Sequence, residues 1–145
     1  SNTDSNTLDD YEEGTWTPVW VDDGGDYSAT YSLQAGSYTK IGQIVHVWGY
    51  MTLTSLGQLN NNLWTIQGLP FNNVGGLIGD SGCGSIGTAT GLSISAGESL
   101  TIYTRDSEDK AYVKVWNSTA GPGLFPASEL TDAGHVRFTL SYITA

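Results

Sequence analysis

The residues able to do chemistry fall into three sets. The first is carboxylates. They gather in Asp22-Asp23-Gly24-Gly25-Asp26 and again at Asp106, Glu108 and Asp109. Three carboxylates around two glycines can wrap a hard cation such as Ca2+, which takes oxygen ligands in flexible loops. Asp and Gly are also ordinary turn residues, so a plain acidic turn is the competing reading. The spacing and the missing terminal Glu exclude an EF-hand loop. Asp22, Asp23 and Asp26 stand as the metal candidates, with Ca2+ as the ion, and no other cofactor is expected. Carboxylate pairs also run glycoside hydrolysis. Every candidate here (Asp80 and Glu98 included) falls in a predicted turn, and a small sandwich offers no obvious deep cleft.

The second set is nucleophiles and their bases. A Ser–His–acid triad needs a His held beside a Ser. The histidines are His46, in mid-strand, and His135, at the start of the last strand. Neither adjoins Gly79-Asp80-Ser81-Gly82 or Gly84-Ser85, and neither of those segments leads into a helix, so a nucleophile elbow is not expected. Cys83 is a lone thiol between glycines, with nothing nearby in sequence to lower its pKa. The chain is expected not to be an enzyme.

The third set is aromatic, and it carries more information. There are 5 Trp and 8 Tyr in 145 residues. Trp48 and Tyr50 alternate with aliphatic residues, so they share the face of His46 and point away from a core. Tyr112 and Trp116 alternate with Val113 and Val115 in the same way. Outward aromatics mark contact surfaces, and those with polar tips suit protein interfaces and sugar-binding surfaces. The competing reading is that another part of the chain covers them. Trp64 alternates with Ile66 and is assigned to the core.

Strands must position these groups. Thr, Val, Ile, Tyr and Trp dominate, and Gly recurs every few residues, a composition for pleated strands and turns. The clearest strand is Ile44 to Thr54, with Val45, Val47, Gly49, Met51 and Leu53 on one face. Others are expected at Thr15 to Val21, Ala29 to Leu33, Ser37 to Ile41, Leu63 to Gly68, Gly84 to Thr90, Ser99 to Thr104, Ala111 to Trp116 and His135 to Ile143. Pro18 belongs at a strand edge or bulge. Gly121-Pro122-Gly123 and Leu69-Pro70-Phe71-Asn72-Asn73 read as loops. The expected fold is an all-β antiparallel sandwich of jelly-roll type over residues 8–145, after a flexible linker at 1–7.

Composition narrows the function. The formal charge is -10, and charged residues are only 14%, against roughly 25% in ordinary domains. Five basic residues cannot form a phosphate-neutralising stripe, so nucleic acid is not expected as a partner. No run of about 18 apolar residues is present, so no membrane insertion is expected. One Cys excludes a disulfide scaffold within the chain. Ser1 to Asp10 is polar and acidic and does not read as a signal peptide.

The segment Leu8-Asp9-Asp10-Tyr11-Glu12-Glu13-Gly14-Thr15-Trp16-Thr17-Pro18 closely resembles the opening of a C-terminal domain of tailed-phage tail fibres, tailspikes and related receptor-binding proteins. The likeness continues through Tyr38-Thr39-Lys40-Ile41-Gly42 into Val45, then Leu53-Thr54-Ser55-Leu56-Gly57 and Ile66-Gln67-Gly68-Leu69-Pro70-Phe71. It ends in the aromatic strand Val136 to Ala145, with its terminal Thr-Ala. Trp48 and Tyr50 stand where smaller or polar residues are expected, and Val74 to Lys110 follows no fixed pattern.

The resemblance implies a homotrimer around a threefold axis, joined to an upstream fibre shaft, outside the cell at the distal end of the virion's tail fibre. It implies a receptor-binding tip for host surface glycan, lipopolysaccharide or capsule. Candidate glycan-binding residues are Trp48, Tyr50, Tyr103, Arg105, Asp106, Trp116 and Asn117. Candidate trimer-interface residues are Tyr11, His46, Trp48 and Tyr50. Trimerisation would triple the negative charge, which favours a neutral or cation-bridged glycan over a bare polyanion. A structural trimerisation cap or virion-decorating module without ligand is the second expectation, and a glycan depolymerase or esterase the third.

Overall fold

The computed structural model describes residues 10–22, 28–58, 64–76, 82–105, 107–117 and 121–145. The expected linker at residues 1–7 lies outside them. Ten strands follow in order: β1 Tyr11–Trp16, β2 Val19–Asp22, β3 Thr30–Ile41, β4 Ile44–Ser55, β5 Trp64–Gln67, β6 Cys83–Leu92, β7 Ser99–Thr104, β8 Lys110–Asn117, β9 Gly121–Leu124 and β10 Leu130–Ile143. A 3-10 turn, Ala127–Glu129, leads into β10.

The all-β expectation holds, and every pairing is antiparallel. The strands form one continuous sheet in the order β1-β3-β4-β10-β6-β7-β8-β5-β2, with β9 added beside β8. This sheet curls on itself to give the sandwich. Residues from both ends of the order, among them Val47, Phe138, Trp20, Ile66 and Phe125, share one core. Trp20 meets Trp64 edge-on, with ring centroids 6.0 Å apart. Burying each side chain of this size contributes roughly 1.5–3 kcal/mol.

The seam that closes the curl lies where β1 ends and β2 begins. These consecutive strands sit at opposite edges of the sheet. The expected single strand Thr15 to Val21 is therefore two strands broken at Thr17-Pro18. Pro18 cannot donate to a ladder, so the pairing stops there, and the chain crosses from one edge to the other. Side chains of β3 stitch the crossing. The Tyr31 hydroxyl accepts from the Trp20 backbone N–H at 2.7 Å and donates to the Trp20 carbonyl at 3.3 Å. Gln34 Nε2 donates to the Pro18 carbonyl at 2.8 Å. Burial pushes the Tyr31 phenol up to about 12.

Two further expectations change. Ala29 to Leu33 and Ser37 to Ile41 merge into β3, because Gly36 is no turn residue. It pairs with Gly49 across β3 and β4, and the Trp16 indole lies over it on the core side. A Cβ there would approach Trp16 Nε1 to 2.5 Å. Gly121-Pro122-Gly123 belongs to strand β9, where Pro122 is tolerated because β9 is an outer strand paired only to β8. The long pairs β3/β4 and β4/β10 carry long outward rows of side chains. A two-residue turn, Gly42-Gln43, sets the β3/β4 register, with Gly42 at φ 58°.

Candidate binding surface

Strand alternation decides which side chains leave the core. On β4, Val45, Val47 and Met51 are fully buried, and Ile44, His46, Trp48 and Tyr50 take the outer face. On β10, Val136, Phe138 and Leu140 go inward and Arg137, Thr139 and Ser141 outward. Register then builds rows across the face. Ala35, Tyr50, Arg137 and Thr88 form one, and Ser37, Trp48, Thr139 and Ser85 form the next.

These rows enclose an open groove of about 480 Å3, lined by Ala35, Gly36, Ser37, Trp48, Gly49, Tyr50, Ser85, Gly87, Arg137, Phe138 and Thr139. Its shape follows from side-chain size. The flanking strands β3 and β6 contribute small residues, and the central strands contribute the large ones. Its floor is the Gly36–Gly49 pair. A Cβ on Gly49 would come within 2.2 Å of the Phe138 ring, so glycine lets the core aromatics press up beneath the floor. Trp16 meets Phe138 edge-on at 6.0 Å, and Trp16 Nε1 donates to the Trp48 carbonyl at 3.1 Å. The β6 register slips between Arg137 and Phe138, leaving Gly87 as the extra residue of a bulge. A bulge bends its strand and increases its twist, here at the groove wall.

The groove's large side chains hold one another in place. The Arg137 guanidinium lies over the Tyr50 ring, 4.6 Å from its centroid. Hydrogen bonds from the Thr52 and Arg137 side chains hold the Tyr50 phenol below its ordinary value. His135 meets Tyr50 edge-on at 5.5 Å and shares a 2.6 Å hydrogen bond with Thr90. His46 meets Trp48 edge-on at 4.5 Å and shares a 2.6 Å hydrogen bond with Ser141. Trp48 remains 46% exposed. Among the described residues no carboxylate lines the groove, and Arg137 is its one charged residue.

The remaining candidates lie elsewhere. Tyr103 and Trp116 point outward from β7 and β8, separated from β4 on the sheet by β10 and β6 or more. This second face is a ladder of cations over rings. Arg105 sits 4.3 Å from the Tyr112 centroid, Lys110 5.5 Å from the same ring, and Lys114 5.1 Å from that of Tyr103. Tyr112 faces away from the valines as expected, yet it is fully buried, because Tyr103 and these cations cover it. Its hydroxyl donates to Glu108 at 2.8 Å. Trp116 is exposed at the far end, beside Pro122 of β9 and the C-terminal Asn117 of β8. Asp106 lies outside the described residues.

Tyr11 shares the groove's face. Cross-strand pairing sets it in a row with Ile41, Ile44 and Ile143 at one end of that face, where Tyr11, Ile41 and Ile44 are exposed. Asp22 ends β2 and is buried opposite Trp64, and Asp23 and Asp26 lie outside the described residues. No group of three or more metal-ligating side chains gathers among the described residues. Sequence reasoning missed Arg137, Ile41 and Ile44. The alternation of Val136, Phe138 and Leu140 with Arg137, Thr139 and Ser141 is a local signal for an outward Arg137, but its pairing opposite Tyr50 is not local.

No family model matches the chain, and no curated protein matches it. Among solved structures it is similar to the crystal structure of the Dettilon tailspike protein (gp208), with a TM-score of 0.74 and 14% sequence identity. The match covers 92% of this chain and 24% of that one, so the chain spans about a quarter of the tailspike's length. The curled all-β fold described here is thus one that a phage tailspike also contains.

Proposed function

We propose that this chain is a receptor-binding domain of a phage tail fibre or tailspike, that it binds host surface glycan, and that the glycan lies in the groove on the outer face of β3, β4, β10 and β6. The observation that carries this reading is the groove itself. It presents an exposed Trp beside Tyr and Arg over a glycine floor. A Trp face stacks on the apolar side of a sugar ring, while Arg, Ser and Thr hydrogen-bond its hydroxyls. The likeness to a tailspike and the motifs from Leu8 to Pro18 support a place on the virion tail. Among the described residues the groove lining has no carboxylate pair, which favours binding over hydrolysis. A glycan array probed with the protein tests the reading. Wild type binds a set of surface polysaccharides, and Trp48→Ala loses them. A Trp48→Ala protein that binds as wild type does would remove the groove from the site.

A second role is compatible with the first. The exposed row Tyr11, Ile41 and Ile44 is apolar in a strongly acidic chain, and such a row suits a subunit contact in a homotrimer. Assembly through this row leaves the groove open for ligand. Sedimentation tests it: wild type runs as a trimer, and Ile44→Asp runs as a monomer. A trimeric Ile44→Asp would show that the row is not the contact.

A further inference from the structure

The chain has 5 basic residues against 15 acidic ones, so a cation without a carboxylate beside it is unexpected. Lys40 pairs with Asp10 at 2.9 Å, and Lys110 with Glu108 at 3.2 Å. Arg137 has no carboxylate within ion-pair distance among the described residues. It lines the groove, where no carboxylate is found among the described residues. Its guanidinium is stacked on Tyr50 and hydrogen-bonds the Tyr50 hydroxyl, contacts that orient the plane while leaving most of its N–H donors for a ligand. A stacked, pre-oriented guanidinium matches the two oxygens of a carboxylate as a fork. Trp48 lies one row away on the same face, so a sugar ring can stack there while its acid group reaches the arginine.

Resting on the glycan-binding reading, we infer that the groove selects an acidic sugar, a hexuronic acid or other carboxylated monosaccharide within the receptor glycan, and that Arg137 is the residue that reads the carboxylate. The overall negative charge does not oppose this at contact range. Exposed charges further away than about 8 Å are largely screened at physiological salt, and the groove's own charge is positive. Net charge alone favours a neutral or cation-bridged glycan. Net charge disfavours a long polyanion lying across the whole surface. It does not disfavour one carboxylate per repeat delivered to one arginine.

The test is an array of hexuronic-acid oligosaccharides, each printed beside its carboxyl-reduced counterpart and beside a phosphate-ester counterpart. Wild type binds the carboxylated member of a pair about tenfold more tightly than the reduced one. Arg137→Gln brings that ratio close to one, Arg137→Lys falls between, and Lys114→Gln on the other face keeps the wild-type ratio. Near-ultraviolet circular dichroism checks that each variant is folded. Equal binding of carboxylated and reduced members by wild type overturns the assignment of Arg137 while leaving glycan binding intact. Preference for the phosphate esters overturns the carboxylate assignment. Absence of binding to every glycan on the array overturns both the inference and the function on which it rests.

Discussion

Trp48 and Trp116 are almost equally exposed, at 46% and 48%, and both leave the core by the same strand alternation. Their surroundings differ. Around Trp48, β3 and β6 carry small residues and the floor is glycine, so the ring borders an open groove. Around Tyr103 and Tyr112, below Trp116, Arg105, Lys110 and Lys114 lie on the rings. One face leaves its aromatic surface open, and the other covers most of it from within the chain. An outward aromatic therefore does not by itself mark a binding surface. The residues two positions along and one strand across decide whether it stays open.

The comparison can be broken most forcefully at the groove floor. Gly49→Ala puts a Cβ against the Phe138 ring, and overpacking of this kind costs roughly 1–3 kcal/mol, read as a lower urea midpoint. Gly87→Ala, whose Cβ meets nothing within 4 Å, should stay within about 0.5 kcal/mol of wild type while weakening glycan binding by narrowing the groove. If both lose stability alike, the floor is not the packed element described here.

The seam that sets the two faces back to back comes next. Tyr31→Phe removes the hydroxyl that bridges β3 and β2 and should cost about 1 kcal/mol. Because burial raises the Tyr31 phenol to about 12, the folded state binds that proton more tightly than the unfolded state does. The hydroxyl's contribution is fully present below the unfolded value near ~10 and is lost as pH rises towards the folded one. Alkaline denaturation monitored by circular dichroism should therefore show a steeper loss for wild type than for Tyr31→Phe. Parallel curves would remove Tyr31 from the seam.

A smaller effect separates the cations of the two faces. Lys114→Ala should lose about 0.5–1 kcal/mol with its cation–π contact. The smallest effect is spectroscopic. The Tyr50 phenol should ionise below the ordinary value near ~10, as ultraviolet difference titration against Tyr50→Phe will show. Arg137→Gln should move it upward and leave it still lowered by Thr52. A phenol unmoved by that substitution would contradict the Arg137–Tyr50 contact.

Much of this fold was legible because strand alternation is local. Val45, Val47, Met51 and Leu53 against Trp48 and Tyr50 could be read from one segment. So could the inward turn of Trp64 and the awkward position of Pro18. What could not be read is pairing between distant segments. Arg137 opposite Tyr50, and Ile143 beside Ile44, depend on β4 and β10 meeting in one register, and no local pattern sets that. Gly36 was misread for the same reason. A glycine that clears space for Trp16 looks, in sequence, like a glycine that makes a turn. Trp48 and Trp116, both glycan-binding candidates, lie apart because outward side chains on distant strands of a curled sheet need not meet.

On this reading the open face binds glycan and the covered face does not. Its most direct test is calorimetric titration of Trp48→Ala and Trp116→Ala, side by side with wild type, using a glycan that wild type binds on the array. Trp48→Ala should lose affinity about tenfold or more, ~1.4 kcal/mol or above, and Trp116→Ala should keep wild-type affinity. Wild-type affinity for Trp48→Ala with loss for Trp116→Ala would contradict it.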